Sequence, residues 1–479
     1  MVDTGIVSYG IHIPRYRLSR KTIAAAMGWA GGGGMPGEKA VANHDEDSLS
    51  MAVSAGRSCL QACSNGRPDG LFFATTTAPY KEKESATIMS VALDLGSQIR
   101  TGEFTDSLKA GTSALLSALD AVKSGDLNRI LVCAADCRLG KPAGSLENIL
   151  GDGGAAVVVG RDGVLATFDG SYSLSHDFPD YRRIEDDKYV RSVEDRFIRE
   201  EGYLKFIADA VIGLVKKYNI DLKDIKKVGF PCLNVREHAN IGKKIGLQPE
   251  QVQEPLMPAI GESGTASPLM LLVAMLEEAK PGDRLIVTSY GNGSEALLFT
   301  VTSEIEKYPR GSLKAALANR KELTSYEKYL AFRGVLPVET SFPPDVANTQ
   351  LVMTWRERKT ILGLYGSVCK RCGTPQYPAQ RVCVNPACRA TDEMEEMRFA
   401  DKTGKVFTYT ADYASPSLDA PLLFGIIDFD GGGRMVFEFT DTEFESIKIG
   451  TPVKMVFRRK YFDASRGIVG YFWKATPIK

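Results

Sequence analysis

Four of the nine cysteines lie close together near the carboxyl end of the sequence, as two pairs: Cys369 with Cys372, and Cys383 with Cys388. This spacing lets both pairs converge on one tetrahedral centre, and zinc prefers thiolate ligands. Four sulfur ligands leave no open position on the metal. The pattern therefore predicts a structural zinc site. An iron centre of rubredoxin type, or four unrelated buried cysteines, are the alternatives.

The other five cysteines are scattered through the first half of the chain: Cys59, Cys63, Cys133, Cys137 and Cys232. A reducing compartment keeps scattered thiols free, which favours metal ligation over a disulfide framework for the cluster. The N-terminal sequence lacks a charged segment followed by an apolar one, so no secretory signal is expected. We therefore expect a cytoplasmic protein.

The composition excludes several classes of function. The 479 residues contain 59 Lys and Arg and 59 Asp and Glu, so the formal net charge is zero. Nucleic acid and anionic membranes need a basic surface, and neither is expected as a partner. No stretch approaches the roughly 20 apolar residues of a membrane span. At roughly 150 residues per domain, the length predicts about three domain-sized units.

Residues 2–302 alternate between apolar strands and amphipathic helices, which indicates an α/β fold. Two segments within them resemble each other, one beginning at 111–115 and the other at 264–268. Each begins a helix, ends it in a Gly-Asp turn, and continues into an apolar strand. We therefore predict a duplicated α/β unit, with halves at 1–165 and 166–303.

The rest of the chain changes character after residue 303. Residues 304–350 predict a helical connector, and 351–395 predict a helix followed by the zinc ribbon. Residues 396–479 contain five short strands separated by Gly and Asp turns, which fits a small all-β barrel. The predicted strands are Lys405–Thr410, Leu423–Phe429, Met435–Phe439, Pro452–Arg458 and Val469–Trp473.

Eight stretches, in order along the chain, match motifs of one known family: Gly5–Pro14, Gly37–Val41, Asp45–Asp47, Lys109–Thr112, Gly153–Ala156, Gly170–Ser173, Ala279–Arg284 and Ser289–Gly291. Through them the chain resembles the archaeal form of the hydroxymethylglutaryl-CoA synthase family, of the thiolase superfamily. Residues from about 350 to 479 resemble the rubredoxin-type zinc ribbon and OB-fold domain found beside thiolases. The resemblance implies a duplicated five-layered fold, a dimer, and coenzyme A thioesters as substrates or ligands.

The resemblance also implies a catalytic Cys, Glu and His, but this sequence lacks all three. The position of the Cys is occupied by Leu108, that of the Glu by Thr76, and that of the His by Pro231. Leucine cannot be acylated, and threonine and proline cannot transfer protons in these roles. The ordinary synthase mechanism, which passes through an acyl-cysteine, is therefore not expected.

Other residues could take over catalytic roles. Cys232 adjoins the lost His position, with a buried structural thiol as the alternative. His238 lies about a turn further on, and the alternative is a solvent-facing residue at the start of a helix. Glu262 precedes a helix, where a carboxylate could equally serve the helix dipole. Ser107 adjoins the lost Cys position. The remaining pocket candidates are Tyr80, Lys109 and His44, while the run Asp45–Asp47 reads as solvated charges.

Two functions fit these observations. In the first, the chain is a subunit that lacks its own nucleophile and pairs with a catalytic thiolase, or with a second copy, while its zinc-ribbon and OB-fold part helps to hold CoA. In the second, the chain is an enzyme that performs aldol or retro-aldol chemistry on an acyl-CoA without an acyl-enzyme, which needs an acid/base group and an oxyanion hole. A module that only binds CoA esters is a third option.

Overall fold

The computed structural model describes residues 3–31, 34–63, 66–339, 350–415 and 417–478. It divides into two compact units. The first unit contains the described parts of 1–43, 47–89 and 97–329. The second contains 44–46, 90–96 and the described parts of 330–479. None of the described helices is long and apolar enough to cross a membrane.

The strands of residues 3–339 are β1 (Gly5–His12), β2 (Tyr16–Ser19), β3 (Glu38–Val41), β4 (Gly70–Ala74), β5 (Arg100–Phe104), β6 (Ile130–Asp136), β7 (Gly153–Gly160), β8 (Ala166–Ser175), β9 (Ile225–Gly229), β10 (Arg284–Thr288), β11 (Gly293–Val301) and β12 (Lys321–Glu322). The helices are α1 (Arg20–Met27), α2 (Ser48–Gln61), α3 (Ser85–Ala92), α4 (Ala110–Ser124), α5 (Ser145–Ile149), α6 (Asp195–Phe197), α7 (Leu204–Tyr218), α8 (Val235–Ile245), α9 (Met257–Ile260), α10 (Ser267–Glu278), α11 (Ser312–Ala318) and α12 (Tyr326–Phe332).

Nine of these strands form one sheet in the order β5-β4-β6-β7-β1-β8-β11-β10-β9. The duplication is visible in the pairing. Strand β4 runs parallel to β6, which runs antiparallel to β7. In the second half, β9 runs parallel to β10, which runs antiparallel to β11. The halves meet where β1 pairs with β8. The predicted duplicated α/β fold is confirmed.

Helices cover the sheet because its central strands are buried: β7 is apolar along its whole length, and β6 is apolar except for Asp136 at its end. Helix α2 packs on the outer face of β1, β6 and β7, and α7 packs on β8 and β11. Helices α4 and α10 lie between the halves and contact each other. The close approach of α4 to the turn that precedes α10 requires Gly111, since a Cβ atom there would lie 2.1 Å from the carbonyl oxygen of Thr265. Two sheet halves and three helical layers give the five-layered arrangement.

In the second unit, α13 (Leu351–Arg356) and α14 (Arg358–Gly363) precede strands β13 (Tyr365–Cys369), β14 (Pro375–Gln376), β15 (Met394–Arg398), β16 (Thr403–Asp412), β17 (Leu422–Phe429), β18 (Arg434–Glu438), β19 (Pro452–Asp463) and β20 (Ile468–Pro477). Strands β14-β13-β15 form the small ribbon, and β18-β17-β16-β19-β20 form a five-stranded sheet. A bridge between Phe439 and Ala475 joins the two edges of this sheet. The predicted barrel is confirmed, and four of its five strands are longer than the sequence suggested.

Helices α11 and α12 and the short strand β12 occupy the first part of the predicted connector, whose residues 340–349 lie outside the described ranges. The predicted boundaries at 165, 303, 350 and 395 stay predictions.

The expectation that Asp45 and Glu46 are solvated is wrong. Both side chains are buried in the second unit. Lys474 Nζ lies 2.9 Å from a carboxylate oxygen of Asp45, and Arg458 Nη1 lies 3.0 Å from one of Glu46. The charges are buried because cations from β19 and β20 neutralise them, which no local sequence pattern reveals.

Candidate functional site

The four predicted metal ligands converge in the ribbon. All four sulfur atoms lie within 4.8 Å of one another. The sulfur atoms of Cys369 and Cys388 are 3.8 Å apart, and those of Cys372 and Cys383 are 3.5 Å apart. A tetrahedral zinc with bonds of about 2.3 Å to sulfur places its ligands about 3.8 Å from each other. The cluster therefore fits a four-thiolate metal centre, and Gly373 makes its turn with φ of 70°.

A cavity of about 110 Å³ in the first unit is lined by Thr76 and Leu108, the residues predicted at two of the family's catalytic positions. Thr76 lies just beyond the end of β4, and Leu108 just before α4. Carboxyl ends of parallel strands are the usual place for ligands in α/β folds. The lining residues are Thr76, Thr105, Asp106, Ser107, Leu108, Arg138, Asp180, Tyr181, Arg182, Arg183, Val190, Gly291 and Asn292. Tyr80, Lys109 and His44 are not among them.

Thr76 is fixed by Asp136, a fully buried residue at the end of β6. One carboxylate oxygen of Asp136 accepts hydrogen bonds from the backbone N–H of Thr76 at 2.7 Å and from its hydroxyl at 3.1 Å. The other oxygen accepts from the backbone N–H of Thr265 at 2.8 Å. Because the Thr76 hydroxyl donates its proton to a carboxylate, it does not offer a base to the cavity.

Arg138 brings a buried positive charge to the cavity. Its Nη1 lies 3.0 Å from Oε2 of Glu262, and the two side chains are 4% and 3% exposed. The other carboxylate oxygen of Glu262 accepts from the backbone N–H of Gly264. Burial raises the pKa of Glu262, although Arg138 opposes the rise. Glu262 does not line the 110 Å³ cavity and reaches it only through Arg138.

Cys232 and Glu262 both line a second, smaller cavity of about 10 Å³, enough for one water molecule. Burial raises the pKa of the Cys232 thiol to about 12, so the thiol stays protonated. A nucleophilic cysteine needs the opposite shift. Burial therefore favours the alternative that Cys232 is a structural thiol. The carbonyl of its neighbour Pro231 accepts a hydrogen bond from the Tyr203 hydroxyl at 2.8 Å.

His238 is buried, so the solvent-facing alternative is wrong. Its ring packs against Phe230 with centroids 4.3 Å apart. Burial lowers its pKa to about 4, which makes the imidazole neutral at physiological pH. His238 lines neither of the two cavities. Ser107, in contrast, lines the larger cavity, and its hydroxyl donates to the carbonyl of Gly291 at 3.0 Å.

Sequence reasoning missed the segment that supplies Asp180, Tyr181 and Arg183 to the cavity. Backbone hydrogen bonds fix this segment: Arg182 and Arg191 exchange two of them. The guanidinium of Arg138 lies over the Tyr181 ring, 5.7 Å from its centroid. Arg183 donates to the carbonyl of Thr76. The segment has no strand or helix period, so no local signal marked it.

The cavity as a whole combines the positive charges of Arg138 and Arg183 with the buried carboxylate of Asp180. None of the described lining residues is a cysteine. Such a set can hold an anionic oxygen and move a proton, but it offers no thiol nucleophile.

Two family models match the second unit. The model described as ChsH2, rubredoxin-like zinc ribbon domain, covers residues 359–395, and the model described as ChsH2, C-terminal OB-fold domain, covers residues 398–458. They confirm the predicted zinc ribbon and OB-fold.

Among the proteins similar in sequence to this chain are two archaeal hydroxymethylglutaryl-CoA synthases. The chain is 33% identical to that of Methanopyrus kandleri over 312 residues, which are 63% of this chain and 89% of that protein. It is 34% identical to that of Thermococcus sibiricus over 340 residues, 69% of this chain and 96% of that protein.

A crystal structure of HMG-CoA synthase complexed with CoA has the same fold, with a TM-score of 0.63 and 20% identity over 73% of this chain and 94% of that one. A 3-oxoacyl-(acyl carrier protein) synthase III from Pseudomonas aeruginosa gives a TM-score of 0.57 at 17% identity, covering 63% of this chain and 98% of that one. The structural likeness shows the fold, and the sequence identity to the archaeal synthases shows the family. This chain belongs to the hydroxymethylglutaryl-CoA synthase family.

Proposed function

We propose that the chain acts on acyl-CoA thioesters and forms or cleaves a carbon–carbon bond without passing through an acyl-cysteine. The observation that carries this proposal is the 110 Å³ cavity at the strand ends, which is lined by Leu108 and Thr76, the residues predicted at the family's Cys and Glu positions. The relatives are hydroxymethylglutaryl-CoA synthases, which supports a CoA thioester as the ligand.

The polar residues of the cavity support catalysis by the chain itself. Aldol and retro-aldol reactions of an acyl-CoA pass through an enolate, whose negative oxygen must be stabilised. Arg138 and Arg183 supply positive charge for that oxygen. A buried carboxylate, Asp180, is available for proton transfer in the same cavity. This chemistry needs no covalent intermediate, which agrees with the high pKa of Cys232.

A second candidate function is a subunit without its own activity, which pairs with a catalytic thiolase. The predicted absence of the Cys, Glu and His at their family positions favours it. In either function the four-cysteine cluster would hold a structural zinc, because four thiolates leave no open coordination position. The OB-fold would help to hold CoA, and the first unit would form a homodimer.

Binding and turnover by the full-length chain distinguish these functions. Native mass spectrometry with acetyl-CoA tests binding, and chromatography of a panel of 3-hydroxyacyl-CoA thioesters tests cleavage. Cleavage by the chain alone supports the enzyme. Binding with cleavage only after a thiolase is added supports the subunit. No binding of any CoA ester contradicts both.

A further inference from the structure

Asp180 is one of the residues that line the 110 Å³ cavity. The residue is 2% exposed. Its Oδ1 atom accepts a hydrogen bond from the backbone N–H of Tyr181 at 2.7 Å. Its Oδ2 atom has no well-formed hydrogen bond among the residues that the structure describes. The hydroxyl of Tyr290 acts on this carboxylate without the geometry of a full hydrogen bond, and a buried oxygen so weakly satisfied costs free energy.

Tyr290, which follows β10, is the tyrosine whose hydroxyl acts on the Asp180 carboxylate. Its hydroxyl is buried and, within the described ranges, also lacks a well-formed hydrogen bond. Its ring packs edge-on against Tyr203, with centroids 5.5 Å apart. Gly202 leaves the space that the hydroxyl needs, since a Cβ atom there would lie 2.5 Å from it. Burial and then the neighbouring charge of Asp180 raise the pKa of Tyr290 far above its ordinary value.

Burial and three neighbouring groups act on the ionisation of Asp180. Burial raises its pKa. The backbone N–H of Tyr181, the hydroxyl of Tyr290 and the guanidinium of Arg138 each lower the pKa, and burial outweighs them. A carboxylate with a raised pKa is a better proton acceptor at physiological pH than an ordinary one. Asp106, which lines the same cavity, is exposed.

We propose that Asp180 is the general base of this site, with Tyr290 as the residue that positions and tunes it. This inference rests on the proposed function. In the cleavage direction, Asp180 takes the proton of the substrate's β-hydroxyl, and the O–H electron pair forms a carbonyl. The bond between Cα and Cβ breaks, and its electron pair moves onto the thioester as an enolate. Asp180 then returns the proton to Cα, so no oxidant or reductant is required.

Proton exchange at Cα of the CoA ester tests this role directly, without the need for a complete substrate. The full-length protein is incubated with acetyl-CoA or butyryl-CoA in D₂O, and deuterium incorporation at Cα is measured by NMR. We expect exchange with the wild type. Asp180→Asn keeps an oxygen that can accept from Tyr181, and it should slow exchange by about 100-fold or more. Its affinity for the same CoA ester should change by less than about threefold. Asp177→Asn, an exposed neighbour, is the matched control and should exchange normally.

The substitution Tyr290→Phe tests whether the Tyr290 hydroxyl sets the pKa of Asp180 or only supports the local structure. Because the Tyr290 hydroxyl lowers the pKa of Asp180, its removal should shift the pH profile of exchange to higher pH. Exchange by Asp180→Asn at the wild-type rate would overturn the inference. Binding of the CoA esters by the wild type without exchange would also overturn it while leaving a binding function. A wild type that binds neither ester would instead contradict the proposed function.

Discussion

Arg138 and Glu262 are 124 positions apart in the sequence and form a buried ion pair, with Nη1 and Oε2 3.0 Å apart. Arg138 lines the cavity and Glu262 does not. The candidate that sequence reasoning placed at Glu262 therefore acts, in our interpretation, by holding Arg138 in place.

Removal of Glu262 should destabilise the first unit. Glu262→Ala leaves Arg138 as an uncompensated buried charge, and we expect a loss of about 3–5 kcal/mol in the free energy of unfolding. Urea unfolding followed by fluorescence measures it. The matched control is Glu304→Ala, which breaks the exposed ion pair with Lys307 and should cost less than about 1 kcal/mol. Equal effects of the two substitutions would contradict the structural role of the buried pair.

Elemental analysis should find one zinc per chain. Cys369→Ser should abolish binding and unfold the ribbon, because the free energy of zinc binding is folding free energy in so small a module. Cys63→Ser, outside the cluster, should keep the metal. Iron in place of zinc, or a Cys369→Ser protein that retains stoichiometric zinc, would show the assignment to be wrong.

His238 should not titrate in the physiological range. Its pKa falls from an ordinary 6.5 to about 4 because it is buried. A depressed pKa stabilises the fold above pH 6.5, and this contribution, about 3 kcal/mol, is lost as the pH falls towards 4. The chemical shift of its imidazole proton measures the pKa by NMR. A midpoint near 6.5 would mean that the ring is solvated and free for acid–base work.

The second unit should lose stability in acid through Asp45. Burial alone would raise the pKa of Asp45, but Lys474 and Arg458 lower it well below the ordinary 3.8. The ion pairs therefore stabilise the unit above pH 3.8, and the stabilisation is lost as the pH falls below it. Asp45→Asn should remove this dependence and lower the unfolding temperature at pH 7, which calorimetry over a pH series would detect. An unchanged melting temperature for the variant would contradict the account.

The sequence predicted those features that depend on residues close together in the chain. Cys369 and Cys388 were assigned to one centre because knuckle spacing fixes which sulfur atoms can meet. The duplicated strands were predicted because each buried strand carries its own apolar pattern.

Contacts between residues far apart in the sequence could not be predicted, because no local pattern indicates them. Asp45 reads as a solvated charge until Arg458 and Lys474 are known to face it. Asp180 lies in a segment without secondary-structure period and becomes a candidate only because folding brings it to the cavity that contains Leu108.

The central claim is that this member of the family works without an acyl-enzyme, and intact-mass spectrometry after incubation with acetyl-CoA tests it most directly. An archaeal hydroxymethylglutaryl-CoA synthase treated in parallel serves as the positive control. We predict that this chain keeps its unmodified mass, because we expect Leu108 at the nucleophile position and burial keeps the Cys232 thiol protonated. A stable acetyl adduct mapped to Cys232 or Ser107 would contradict the account and restore an acyl-enzyme mechanism.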